Sequence, residues 1–175
     1  MQPYQIILLI LITAAFVVSL CVIFVLTHIY KFGSSMKKRL KAMDILLSEK
    51  ASDLLYLIEA LQKDDIELSK DDIEFSKRLG ELHFDKPSSI IVSENKNKIE
   101  AVRKRISYLA VVNSSISSHP AYKECMSLLE DLDRAFRRCV VLYNSDLNGY
   151  NYWIDIPGIR PFIYLFRVEK AKPIN

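Results

Sequence analysis

Between residues 128 and 157, apolar side chains recur at alternating steps of three and four positions. This spacing places them on one face of an α-helix of roughly 8 turns. The intervening positions are mostly charged, Asp133 among them, so the pattern predicts one long amphipathic helix whose charged face lies in water. The helix is expected to stop at Pro157. The apolar stripe consists of Leu129, Leu132, Phe136, Val140, Tyr143, Leu147, Tyr150 and Ile154.

Two other stretches have the same periodicity. One begins at Met36 and continues for about 27 residues, and the other covers residues 94–117, so each predicts an amphipathic helix that needs a partner. Ser118-His119-Pro120 predicts a tight turn, after which Pro120 can open the long helix. The stripes are Leu40, Met43, Leu47, Ala51, Leu54, Ile58 and Leu61 in the first stretch, and Ile99, Val102, Ile106, Leu109 and Ile116 in the second.

Residues 63–77 contain a seven-residue repeat, Lys-Asp-Asp-Ile-Glu-Leu-Ser followed by Lys-Asp-Asp-Ile-Glu-Phe-Ser. Heptad recurrence favours a helix packed on another helix, although two copies are too few to predict a coiled coil. The repeat places acidic pairs, Asp64-Asp65 and Asp71-Asp72, two helical turns apart. They could attract a divalent cation, and the alternative is a solvated helix face. The sequence leaves ion binding open. Pro87-Ser88-Ser89 predicts a loop after the repeat.

The segment of residues 6–30 contains no Asp, Glu, Lys or Arg. As a helix these 25 residues would extend about 37 Å, which exceeds a hydrocarbon core of about 30 Å. The segment therefore predicts a transmembrane helix. A cleaved signal peptide is the alternative, but no basic residue precedes Ile6, and the apolar run is longer than such peptides usually have.

Basic residues follow this segment immediately, whereas residues 1–5 carry no charged side chain. The positive-inside rule then places the C-terminal part in the cytoplasm and the N-terminus outside a single-pass cell-membrane protein. Each basic residue near the bilayer surface gains about 1 kcal/mol from anionic lipid. The lipid bilayer is thus the first predicted partner. The basic residues are Lys31, Lys37, Lys38, Arg39 and Lys41.

The dipeptide Tyr143-Asn144 recurs as Tyr150-Asn151, two helical turns further on. Together with the residues listed below, this repeat resembles the signature of the LemA family. The resemblance implies a membrane-anchored helical domain and gives no reaction. The other matching residues are Val111-Val112, Pro120, Leu129-Glu130, Leu132, Arg138, Ile154, Pro157 and Leu165-Phe166.

The repeated dipeptides have two interpretations. Tyrosines on the stripe with adjacent asparagines suit a core whose hydroxyls and amides close the bundle by hydrogen bonds. The alternative is a surface that binds a partner protein, to which Trp153 would add a bulky aromatic side chain. The candidate partner-binding residues are Tyr143, Asn144, Tyr150, Asn151 and Trp153.

The chain offers little for catalysis. None of the three histidines, His28, His83 and His119, is spaced with a second metal ligand. Only four glycines are present, and none forms a phosphate-binding loop. The basic run at residues 103–105 lacks interleaved aromatics, so solvent is its expected neighbour and nucleic acid is not predicted as a partner. The protein is therefore predicted not to be an enzyme, with no metal and no cofactor.

These patterns predict an all-α protein. Residues 1–30 form a transmembrane anchor, 31–36 a joint, 37–166 a cytoplasmic LemA-like antiparallel bundle of three to four long helices, and 167–175 a frayed tail. The apolar run at 162–166 is expected to fold back on the bundle or to touch the membrane or a partner. The predicted function is a non-enzymatic scaffold or adaptor at a bacterial membrane. The alternative is a membrane-tethered sensor of a small ligand or divalent ion. Homo-oligomerisation and the identity of any protein partner are left open.

Overall fold

A computed structural model describes residues 2–64, 66, 68–82, 84, 87–159 and 170–174. The described residues are helical or irregular, and none of them is in a β-strand. The prediction of an all-α protein is therefore confirmed. The helices are α1 (Pro3–Lys63), α2 (Lys70–Lys77), α3 (Ser89–Val112), α4 (Ser114–Ser118) and α5 (Pro120–Ile154), followed by a short 3-10 helix at Pro157–Ile159.

The chain forms two compact units. Unit 1 consists of Met1–Met36 with Asn144–Lys172, and unit 2 consists of Lys37–Tyr143 with Pro173–Asn175. Helices α1 and α5 contribute residues to both units.

The apolar stripes form the core of unit 2, as the sequence predicts. Burying these side chains removes apolar surface from water, which stabilises the fold by about 25 cal/mol for each Å² that is buried. The three stripes come from α1, α3 with α4, and α5, so each helix covers the apolar face of the others. The buried members are Met43, Leu47, Ala51, Leu54, Ile58, Leu61, Ile99, Val102, Ile106, Ile116, Leu129, Phe136 and Tyr143.

In unit 2, helix α5 runs in the direction opposite to α1. The ammonium of Lys50 on α1 donates to the carboxylate of Asp133 on α5. Three residues further along α1, the backbone carbonyl of Asp53 accepts from the Cys125 thiol at 3.5 Å. Residues later in α1 therefore contact residues earlier in α5, so the two helices are antiparallel.

Helix α3 is also antiparallel to α5 within unit 2. The side chains of Ser89 and Tyr143 are hydrogen bonded near one end of the pair. Arg103 of α3 reaches Asp133 further along. Helices α1 and α3 consequently run in the same direction within unit 2. The LemA-like form of the bundle stays a prediction.

The described residues of the heptad repeat are helical mainly in its second copy, which corrects the prediction of one helix across both copies. Helix α1 ends at Lys63, and α2 covers only the second copy. The hydroxyl of Ser69 accepts from the Asp72 amide and caps α2. Serine at this position accepts a hydrogen bond from an amide that the first turn of α2 leaves unpaired. Ser69, the last residue of the first copy, therefore caps α2 and does not belong to one helix through both copies.

Helix α3 begins earlier than predicted. The hydroxyl of Ser88 accepts from the Ile91 amide and caps the helix, which therefore starts at Ser89, two residues after Pro87. The predicted third helix is also divided, because the side chain of Asn113 caps a separate α4. Pro120 opens α5, as predicted.

The predicted joint at residues 31–36 lies within α1 and is helical. In the C-terminal tail, Ile174 is buried at 1% exposure, so this apolar residue does not fit the predicted fraying of residues 167–175. The apolar run at residues 162–166, His83 and Asp65 lie outside the described residues.

Candidate functional site

The first part of α1 has the composition and the exposure of a membrane span. Its most apolar window of 18 residues contains no buried residue. The core helix of a water-soluble protein of similar composition would be mostly buried. Large apolar side chains from Tyr4 to Phe24 are exposed on every face of the helix. This helix is therefore long and apolar enough to cross a bilayer.

The basic residues predicted to meet the membrane surface all lie on α1. Lys31, Lys37, Lys38 and Lys41 are exposed, and Arg39 is half-buried. The four exposed ammonium groups are free to contact anionic headgroups, whereas Arg39 has a partner within the protein.

Within unit 1, an aromatic ring of α1 packs against a glycine of α5, and an aromatic ring of α5 packs against a glycine of α1. A Cβ atom placed on Gly149 would lie 2.7 Å from the ring of Phe32, so only glycine leaves room for that ring. In return the ring of Tyr150 covers Gly33, 3.5 Å from where its Cβ would be. Gly33 therefore lies at ordinary van der Waals distance from that ring. One turn away, Ser35 donates to Asp146 at 2.6 Å.

Trp153 packs against the same face of α1. Its ring centroid lies 4.6 Å from that of His28 and 5.7 Å from that of Phe24. Beneath this aromatic group, Val25 and Ile29 are buried together with Ile154. Trp153 is half-buried by these contacts, and its binding of a partner stays a prediction.

The other members of the repeated dipeptides have structural neighbours. Tyr143 is 2% exposed. Burial raises the pKa of its phenol, and the hydrogen bond with Ser89 partly offsets this effect. The amide of Asn151 donates to the carbonyl of Ala171 at 3.4 Å. These contacts agree with the core interpretation of the dipeptides.

Unit 2 contains an ion network that the sequence reasoning missed. Lys50 is 3% exposed, and its ammonium donates to Asp133, which also accepts from Arg103. Burial alone would raise the pKa of Asp133, but the bonds from Lys50 and Arg103 outweigh it and lower that pKa. The Lys50 ammonium also lies 5.2 Å from the centroid of the Phe136 ring. Asp133 is therefore a link among α1, α3 and α5, and not part of a solvated face.

A cleft of about 620 Å³ opens beside this network. Basic side chains outnumber acidic ones along its wall, and both acidic groups lie within 4 Å of Arg103. Phe136, Val140 and Val141 supply an apolar wall. The cleft thus combines positive charge with apolar surface, which suits a small anion that carries an apolar group. Its charged lining consists of Lys50, Lys96, Glu100, Arg103, Asp133 and Arg137.

One signal for the network was present in the sequence. Lys50 lies three residues after Leu47 and four before Leu54, which places it on the apolar stripe of α1. A lysine on a buried stripe needs a carboxylate partner. The stripe therefore predicts a buried ion pair, but it does not identify Asp133.

Among the described cysteines and histidines, Cys125 is buried and His119 is paired with a carboxylate. Burial raises the pKa of the Cys125 thiol to about 11, so it is protonated near neutral pH. His119 is paired with Asp64 at 2.8 Å. Among the described residues, no group of three or more His, Cys, Asp or Glu could hold a metal ion.

The second copy of the acidic repeat is engaged in local structure. Burial would raise the pKa of Asp72, but hydrogen bonds from Ser69 and Arg105 lower it. Arg105 Nε donates to this carboxylate at 2.6 Å, joining α2 to α3. These contacts give Asp72 a structural role and leave ion binding by the repeat open.

No family model, no characterised protein and no solved structure matches this chain. The resemblance to the LemA family accordingly rests on the residues named for it above.

Proposed function

We propose that this protein is a non-enzymatic, single-pass membrane scaffold or adaptor that presents a helical bundle at the cytoplasmic face of a bacterial membrane. The observation that carries the proposal is the contrast along α1. Large apolar side chains from Tyr4 to Phe24 are exposed on every face, whereas residues 37–63 expose charge and bury one stripe. The first pattern suits lipid and the second suits water.

The side chains of unit 2 support a binding role over a catalytic one. Its carboxylates with lowered pKa values, Asp72 and Asp133, are both held by basic partners from neighbouring helices. Such carboxylates are poor general bases at neutral pH, because they hold protons weakly. Cys125 is buried and protonated, which makes it a poor nucleophile. The resemblance to the LemA family supports a bacterial membrane setting.

A partner surface is best sought at the end of α3. Tyr108, Val111 and Val112 lie at helical spacing, and Val111 is 84% exposed. The initially predicted residues Tyr143 and Trp153 are packed within their own units, so they are poorer candidates for a protein partner.

In-cell photocrosslinking tests the adaptor role. A photoreactive residue replaces Val111, and a matched probe replaces Tyr56, which is also exposed but lies on α1. We expect one defined product from the Val111 probe, absent with the Tyr56 probe and lost when Val112→Asp is added. A product containing two copies of this chain would identify a self-assembling scaffold. Absence of any product specific to Val111 would contradict the adaptor role at this surface.

The cleft beside Asp133 favours a second candidate function, a membrane-tethered sensor of a small anion. Basic side chains outnumber acidic ones in the lining of the cleft. Two of them, Lys96 and Arg137, lie on different helices, α3 and α5. Pyrophosphate titrated into the detergent-solubilised chain should raise the melting temperature. The double variant Lys96→Gln/Arg137→Gln should lose the shift, and the exposed Arg134→Gln variant should keep it. An unchanged melting temperature up to millimolar pyrophosphate would remove this candidate for phosphate ligands.

The divalent-ion form of the sensor has a separate test. Calcium or magnesium would raise the melting temperature of the wild-type chain but not of an Asp71→Asn/Asp72→Asn variant if the repeat binds the ion. Equal responses of both proteins would argue against binding at the repeat.

A further inference from the structure

Exposed large apolar side chains recur along α1 as far as Phe24, and between residues 25 and 30 Tyr30 alone is of this kind. Residues 3–24 form 22 residues of helix, about 33 Å, which alone is enough for a hydrocarbon core of about 30 Å. From Val25 onward the environment changes, because Val25 and Ile29 are buried together with Ile154. The six residues from 25 to 30 are thus not needed to cross the bilayer.

Aromatic side chains lie close to Val25, where the environment of α1 changes. Trp153 lies edge-on to Phe24 and is stacked, with a tilt, on His28. Tyr152 lies edge-on to Trp153, at 5.7 Å between ring centroids, and is 67% exposed. Tryptophan and tyrosine concentrate where hydrocarbon meets water, since their rings are apolar and their NH and OH groups need polar partners.

The charge near this end of α5 is locally balanced. Asp155 is paired with Lys170 at 2.8 Å. A neutralised carboxylate does not oppose approach to anionic headgroups, and the exposed Lys31 of the same unit favours that approach.

We infer that the end of α5, residues 150–156, lies in the headgroup layer of the membrane, with Trp153 at the boundary of the hydrocarbon core. The membrane boundary then falls between Phe24 and His28, and not at Tyr30 as the charge pattern alone indicates. The packing of Ile154 and Trp153 on α1 fixes how deeply the span enters the bilayer. This inference rests on the proposed membrane anchoring.

Trp153 is the only tryptophan of the chain, so its fluorescence reports this one position. The full chain is reconstituted into phosphatidylcholine vesicles containing anionic lipid. Lipids brominated near the headgroup or near the end of the acyl chain serve as shallow and deep quenchers. A Phe16→Trp/Trp153→Phe variant moves the single reporter to the middle of the span.

We expect the shallow quencher to reduce Trp153 emission more strongly than the deep one, and the order to be reversed for the reporter at position 16. Quenching at position 16 together with no quenching of Trp153 would overturn the inference while leaving the membrane anchor intact. Stronger quenching of Trp153 by the deep lipid would overturn it as well. If neither reporter is quenched, the anchor itself, and with it the proposed function, is wrong.

Discussion

Unit 1 and unit 2 use the two long helices α1 and α5 in different ways. In unit 2 the long helices each bury one apolar stripe, and their charged residues lie mainly on the other faces. In unit 1 the first part of α1 is apolar on every face, and the buried members of its cluster among the described residues are Val25, Ile29 and Ile154. Helix α1 thus suits two environments along its length, because its apolar residues occupy all faces in one part and a single face in the other.

The two units also differ in what fixes their helices side by side. Unit 2 has the ion network of Lys50, Asp133 and Arg103, which selects one register through charge. Unit 1 has ring-to-glycine contacts, in which Phe32 requires the absence of a side chain at Gly149. Removing a charge or lowering the pH should therefore destabilise unit 2, whereas enlarging a side chain should destabilise unit 1.

The largest expected effect is that of Asp133→Asn. The change leaves the buried Lys50 ammonium without its carboxylate, and breaking such a pair costs about 3 kcal/mol or more. The free energy of unfolding, measured by denaturant titration in detergent with helical circular dichroism, should fall by that amount. Asp131→Asn is the matched control, because Asp131 and its partner Arg134 are exposed and such a pair contributes about 0.5 kcal/mol. Equal effects of the two changes would contradict the buried network.

Gly149→Ala should have a smaller effect that is confined to unit 1. The new Cβ atom would meet the Phe32 ring at 2.7 Å, and overpacking of this kind costs about 1–3 kcal/mol. The higher helix propensity of alanine offsets about 1 kcal/mol of this cost. Denaturation followed by Trp153 fluorescence should shift to lower denaturant, and adding Phe32→Leu should restore part of the loss. Gly158→Ala is the control, since nothing lies within 4 Å of its Cβ position. An unchanged midpoint for Gly149→Ala would refute the close approach.

Acid should weaken unit 2 through Asp133. Its pKa in the folded protein is lowered, so its contribution is present above the ordinary aspartate pKa of about 3.9 and is lost as the pH falls through the folded value. The free energy of unfolding should thus decline below about pH 4. A Lys50→Met/Asp133→Leu variant should show a shallower decline over the same range. Parallel pH profiles for the two proteins would exclude Asp133 as a source of the acid sensitivity.

The smallest expected effect concerns thiol reactivity and not stability. Cys125 is buried and has a pKa of about 11, whereas Cys139 is only half-buried. Maleimide should label Cys139 of the folded chain much faster than Cys125, as peptide mass spectrometry of a time course would show. Comparable rates in denaturant provide the control. Faster labelling of Cys125 in the folded chain would show that the α1–α5 packing around Asp53 is more open than described.

Sequence periodicity predicted the apolar stripes well, because a helix that buries one face must repeat apolar residues at steps of three and four. It could not predict the role of Asp133. Its partners Lys50 and Arg103 are 83 and 30 residues away in the chain, and only the packing of three helices brings them together.

The candidate partner-binding residues show the same limit. Tyr143 and Tyr150 share one helical face, but Tyr143 is buried in unit 2 and Tyr150 covers Gly33 in unit 1. The sequence alone does not distinguish a glycine that weakens a helix from one that leaves space for an aromatic ring. The aromatic contacts of Trp153 with His28 likewise join residues far apart in the chain.

Cysteine accessibility in intact cells tests the membrane anchor most directly. In a background with Cys21, Cys125 and Cys139 replaced by alanine, one new cysteine is placed at Gln2 or at the exposed Tyr56 of unit 2. A membrane-impermeant maleimide should label Gln2→Cys in intact cells, and should label Tyr56→Cys only after the membrane is permeabilised. Labelling of Tyr56→Cys in intact cells, or recovery of the full chain in the soluble fraction, would contradict a cytoplasmic bundle held by a single membrane span.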